Sequence, residues 1–128
     1  MALASLSALP FILNSCTSIS LISLEPEGER IAVPVAGFLP EENLKIIRSK
    51  NLEYDILLVK DQTGDHKALL MQCTHMDNIL SANRSGLTCT MHGSRFDLKG
   101  QPLNGPASKP LRSFKVMEEN NHLIIFLT

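Results

Sequence analysis

Two short segments, each carrying one cysteine and one histidine, constrain this chain more than any other feature. The first reads Cys73-Thr74-His75 and the second Cys89-Thr90-Met91-His92, so the full pattern is C-x-H-x13-C-x2-H. Thiolate and imidazole are metal donors, and two of each delivered by two segments form a ligand set. A single residue between Cys73 and His75 lets neighbouring side chains reach two different metal atoms a short distance apart. Cys89 and His92 can do the same from a facing loop. The same four donors would also close a tetrahedral zinc site, and spacing alone does not choose between the two.

The rest of the chain reads as a small β protein. At 128 residues it is sized for one domain. Its composition is 44% apolar with no Trp, one Tyr and five Phe, which predicts an aliphatic core. A net charge of −1 gives no support for a nucleic-acid partner. Ile31, Val33 and Val35 alternate with polar or small residues as a half-buried strand does, and Pro34 places that strand at a sheet edge. Residues 37–43 suit a turn or a single helical turn. Strands are expected at 44–48, 54–60 and 67–72, with turn chemistry at 61–65 between the last two. The last of these delivers Cys73 to a sheet tip. A short segment at 86–88 leads into the second pair, and 100–110 is rich in Gly and Pro. Residues 113–117 and 122–127 suit a closing hairpin around Glu118-Glu119-Asn120-Asn121. No full-length amphipathic helix is visible, so the expectation is an all-β domain of antiparallel sheets.

The N-terminal stretch differs in character. Residues 1–24 carry no charge but hold six Ser, one Thr, one Asn and Pro10, too polar for a spanning helix. The apolar part, 3–13, has signal-peptide length. It ends in Leu13-Asn14-Ser15-Cys16, which resembles a bacterial lipobox whose cysteine becomes the lipidated mature N-terminus. On that reading residues 1–16 are a signal peptide, 17–27 a tether and 28–128 the domain. The protein then sits in the cell envelope, attached to the membrane through Cys16. Asn14 is unusual in a lipobox, and the leading residues lack Lys or Arg. The alternative is a cytoplasmic protein whose uncharged arm packs on the domain or frays. Three cysteines are too few for a disulfide scaffold.

Agreement with a known pattern extends well past the four donors. His92-Gly93-Ser94-Arg95-Phe96-Asp97 continues the second pair. Leu103-Asn104-Gly105-Pro106-Ala107 and Lys109-Pro110-Leu111 come next, and the final hairpin closes the chain. Across residues 54–127 the chain resembles the Rieske 2Fe–2S family. The resemblance implies a cluster-binding subdomain of two ligand loops plus a proline loop. Cys73 and Cys89 would hold the buried iron, and His75 and His92 the outer iron that takes the electron. It also implies that the Ser94 hydroxyl donates to a cluster sulfur and that Pro106 lies in the covering loop. The family's respiratory branch has two further cysteines that join the loops. Asn78 and Met91 stand at those positions here, which places the chain in the ferredoxin-like branch. The spacer of 13 residues is shorter than usual. Phe96 stands where the high-potential branch has a Tyr hydroxyl. With one sulfur donor kept and one lost, the expected potential is intermediate.

These features rank the function classes. The leading reading is an electron carrier with one 2Fe–2S cluster and redox proteins as donor and acceptor. The alternative is an iron–sulfur component of a larger oxidoreductase: an oxygenase, a nitrite-reductase-like system or a quinol oxidoreductase. An oxygenase active site needs two His and a carboxylate on one iron, and the 36 residues after His92 hold one His. A structural zinc module explains neither the proline loop nor Ser94. Thr74, Met76 and Met91 read as packing or loop residues, His66 and His122 as strand histidines. Arg84, Arg95 and Lys99 read as a solvated face or a docking rim.

Overall fold

Ile56-Leu57-Leu58-Val59 is an unbroken apolar run, and all four side chains are buried. A strand of this kind has no solvent face, so structure must cover it on both sides. The computed structural model describes residues 18–128, and the proposed signal peptide and Cys16 lie outside the described residues. Eleven strands occur among them: β1 Ser20–Ser23, β2 Arg30–Pro34, β3 Leu44–Arg48, β4 Ile56–Lys60, β5 His66–Leu70, β6 Ser81–Asn83, β7 Gly86–Thr88, β8 Arg95–Phe96, β9 Pro102–Asn104, β10 Ser113–Glu119 and β11 His122–Phe126. The single helical element among the described residues is a 3-10 turn at Val35–Gly37. The all-β expectation holds.

Seven strands form one sheet in the order β1-β3-β4-β5-β10-β11-β2, and four form a second in the order β6-β7-β8-β9. Every pairing is antiparallel except β1 with β3, which is parallel. β4 is central, with Leu57 opposite Ile46 on β3 and Leu69 on β5. Its alternate side chains supply two cores. Leu57 and Val59 join Leu69, Met71, Leu80, Leu87, Phe96 and both described cysteines. Ile56 and Leu58 join Ile31, Val33, Ile47, Phe114, Leu123 and Ile125 from the opposite side. The first core therefore carries the small sheet and the second carries β2 and the closing hairpin.

Several boundaries depart from the sequence reading, each for a local reason. The closing hairpin turns on two residues, Asn120 (φ 49°) and Asn121 (φ 60°). Asn tolerates the left-handed region, and a two-residue turn of that hand matches strand twist, so β10 runs on through Glu119. Pro34 does lie on an edge strand, where its missing N–H costs no ladder bond. The span 17–27, expected to be a tether, instead contains β1. Ile22 and Leu24 pack on the second core and Ile19 on the first, while Leu21 and Ser23 face out. This alternation hides in a segment whose serines suggest a linker. The pairs β8 and β9 were hidden by their length and by the Gly and Pro around them.

A buried polar knot fastens β1. Lys45 is only 4% exposed. Its ammonium lies 3.0 Å from the Glu42 carboxylate and donates to Ser20 Oγ at 2.7 Å. It also sits 4.8 Å from the centre of the Phe38 ring, and Ser20 donates in turn to Glu42. Burial pushes the Glu42 carboxyl up, but hydrogen bonds from Ser20, Lys45 and the Leu39 N–H outweigh it and hold it below the ordinary value of 4.5. Glu42 thus adds stability above 4.5 that is lost as pH falls through its depressed value. Glu42→Gln should cost about 3 kcal/mol in urea unfolding near neutral pH, because Lys45 loses its counter-charge. The gap to the parent should close in acid, as the parent loses the same interaction; a pH-independent gap contradicts the assignment.

Candidate metal centre

β5 ends shortly before the first cysteine and aims it along the sheet. Residues 71–80 form the first loop, closed by the Gln72–Ile79 bridge and by Leu80 N–H donating to Met71 C=O at 3.0 Å. Inside that ring the Cys73 N–H donates to Asn78 C=O at 2.9 Å. The second loop, 89–94, joins β7 to β8. Cys89 N–H donates to Ser94 C=O at 2.8 Å and Gly93 N–H to Cys89 C=O at 2.9 Å. Gly93 sits at φ 80°, where a side chain would be strained. At the base of this loop Gly86 presses on β8, and a Cβ there would overlap the Phe96 carbonyl oxygen.

The two loops sort their donors by depth. Cys73 is 1% exposed and Cys89 is fully buried, both within the first core. His75 and His92 are exposed, with ring centres 5.2 Å apart and planes crossing at 82°. Among the described residues no three His, Cys, Asp or Glu converge as one metal ion would require. The arrangement is two thiols inside and two imidazoles outside. A binuclear cluster with two sulfur ligands on one iron and two nitrogen ligands on the other is compatible with that division. Burial pushes the Cys73 thiol up. The backbone N–H groups of His75 and Met76, with the Cys89 and Ser94 side chains, outweigh it and bring the thiol below its ordinary value. The donor set and its polar surroundings therefore fit the cluster.

A third segment is tied to both loops. Ser94 is fully buried, and its hydroxyl accepts from Ala107 N–H at 3.0 Å. Thr74, between the two residues of the first pair, donates its hydroxyl to Lys109 C=O at 2.7 Å. Asn104 Nδ2 donates to Gly93 C=O at 3.3 Å. Pro106, joined to Gly105 by a cis peptide, is exposed between these ties. Phe96 is a core residue, 1% exposed. Arg84, Arg95 and Lys99 are exposed, while His66 and His122 are half-buried on strands.

Tyr54 had no role in the sequence reading. Its hydroxyl donates to Asp77 C=O in the first loop at 2.7 Å. Burial, then the Glu53 and Asp77 carboxylates, push the phenol up, so it stays a donor. Being the one Tyr of the chain was its only signal. The Thr74 and Asn104 ties gave none, because their partners are backbone carbonyls distant in sequence.

Comparison with known proteins agrees with this geometry. The Rieske [2Fe-2S] domain family model matches residues 32–115. The chain is 27% identical over 100 residues to the cytochrome b6-f complex iron-sulfur subunit of Chlorobaculum thiosulfatiphilum, covering 76% of this chain and 53% of that one. It thus spans about half the length of the curated relatives first matched. In fold it is similar to the cyanobacterial plasma membrane Rieske protein from Synechocystis PCC 6803, with a TM-score of 0.52 at 19% identity over 77% of this chain and 86% of that one. It is similar also to the ferredoxin of carbazole 1,9a-dioxygenase from Nocardioides aromaticivorans IC177, with a TM-score of 0.51 at 17% identity over 76% and 95%. No helix among the described residues is long and apolar enough to cross a membrane. A family model matched across most of the chain, on a fold of the same kind, makes this protein a member of the Rieske [2Fe-2S] family, the carrier of a single 2Fe–2S cluster.

Proposed function

We propose that Cys73 and Cys89 hold the inner iron of the cluster, that His75 and His92 hold the outer iron, and that the chain passes single electrons between redox protein partners. The supporting observation is the separation of donors by depth, thiols buried and imidazoles exposed. The cluster supplies a one-electron couple, at a higher potential than an all-cysteine site because neutral imidazole replaces thiolate. The protein's part is electrostatic and positional. Backbone N–H groups of His75 and Met76 stabilise negative charge on the Cys73 sulfur. Each imidazole commits one ring nitrogen, and the other can hold a proton toward solvent. Ser94 offers its hydroxyl proton to sulfur while its oxygen accepts from Ala107.

Membership in a larger oxidoreductase is the second reading. It is favoured by relatives named as cytochrome b6-f iron-sulfur subunits. The absence of cysteine at Asn78 and Met91 and of a hydroxyl at Phe96 favours the free carrier. The uncharged N-terminal stretch and Leu13-Asn14-Ser15-Cys16 support attachment to the envelope membrane. Two or more acyl chains on Cys16 would anchor stably where one would not.

EPR of anaerobically purified, dithionite-reduced protein should give a rhombic signal with average g below that of all-cysteine ferredoxins, and about two irons per chain. One zinc and no iron would overturn the assignment. Ser94→Ala should lower the midpoint potential and cost about 1–2 kcal/mol, since Ala107 N–H loses its acceptor. An unchanged potential would remove Ser94 from the tuning. Incorporated labelled fatty acid should vanish in Cys16→Ser; persisting label, or none in the parent, would refute the anchor.

A further inference from the structure

No side-chain hydrogen bond among the described residues fixes the His75 ring; its backbone N–H is engaged with the Cys73 sulfur. Among the described residues its ring meets only the edge-on ring of His92. Cys73 and Cys89 are both free thiols, and the two loops contain no other cysteine, so no disulfide joins them. The direction of the imidazole must therefore come from the loop backbone, and that backbone needs an external support.

Tyr54 provides one. Its hydroxyl donates at 2.7 Å to the carbonyl of Asp77, two residues beyond His75. The Asp77 carboxylate accepts from Gln72 Nε2 at 2.8 Å, which closes the ring of residues holding Cys73 and His75. Tyr54 is itself seated firmly. The next residue, Asp55, accepts from Met71 N–H at 2.9 Å through its carbonyl. Its carboxylate is gripped by Arg48 of β3 at 3.0 and 2.6 Å. The half-buried Tyr54 also lines a cleft of about 450 Å³, together with Glu53, Asp77 to Ile79 of the first loop and Thr90 and Met91 of the second. Tyr54, whose neighbour Asp55 is held by Arg48 of β3, thus borders both loops.

We infer that Tyr54 is a positioning residue for the cluster, a non-covalent strut that sets the first loop, and through it His75, against the second. This rests on His75 being a ligand. A strut of this kind acts on ligand direction, so its loss should alter the electronic signature as well as fold stability. Tyr54→Phe keeps the ring and deletes only the hydroxyl. It should broaden the reduced-state EPR lines, change the imidazole nitrogen hyperfine couplings and displace the midpoint potential. Iron loss to a ferrous chelator should quicken about five- to tenfold, the worth of one hydrogen bond. Gln72→Leu, which cuts the second tie on Asp77, should move the same readouts in the same direction, and it carries the test if Tyr54→Phe folds poorly. Variants with a lower melting temperature but parental couplings and potential would make Tyr54 merely structural and overturn the inference. A parent protein lacking histidine nitrogen couplings would instead sink the ligand assignment, and this inference with it.

Discussion

The burial of β4 from Ile56 to Val59 is the constraint on which the layout depends. A strand apolar on both faces cannot sit at a surface, and alternation sends Leu57 and Val59 one way and Ile56 and Leu58 the other. On one side β2, β10 and β11 fold over the sheet and close the second core. On the other side the first core is completed by the chain between β5 and β10: the first ligand loop, the small sheet and the proline loop. Cys73, Cys89, Leu87 and Phe96 are therefore packing residues of one core as much as parts of a site. The thiols are dry because they belong to the aliphatic interior, and the imidazoles are wet because two or three further residues carry the chain out of it.

That geometry explains which parts were legible. The Cys-His pairs, the strongest strands and the closing hairpin are each made of residues near in sequence, the strands and hairpin legible through period-two alternation and turn chemistry. Leu44–Arg48 matched to the residue. β1 was missed because Ser20 and Ser23 look like linker residues. Ser20 is instead a partner for a lysine 25 positions away. The ties that assemble the site have the same character. Thr74 reaches Lys109 across 35 positions and Tyr54 reaches Asp77 across 23. A hydroxyl seeking a backbone carbonyl leaves no pattern in composition or periodicity, because every residue offers the same carbonyl.

Polar side chains in this protein do the joining that aliphatic packing cannot. The first core is contiguous, but apolar packing is non-directional and does not by itself set how the loops face one another. Hydrogen bonds remove that freedom one segment at a time: Ser94 fixes the proline loop to the second ligand loop, and Thr74 fixes it to the first. Each of these ties starts within two residues of a histidine donor. The third, from Tyr54, comes from outside the three loops and refers them to β3 through Asp55 and Arg48. Thr74 and Ser94 can keep the loops mutually aligned while the whole tip drifts, whereas a tie to the sheet holds the tip in place. An electron carrier needs both conditions. With His75 and His92 as the proposed ligands, a tip held still keeps the two exposed imidazoles in one mutual orientation.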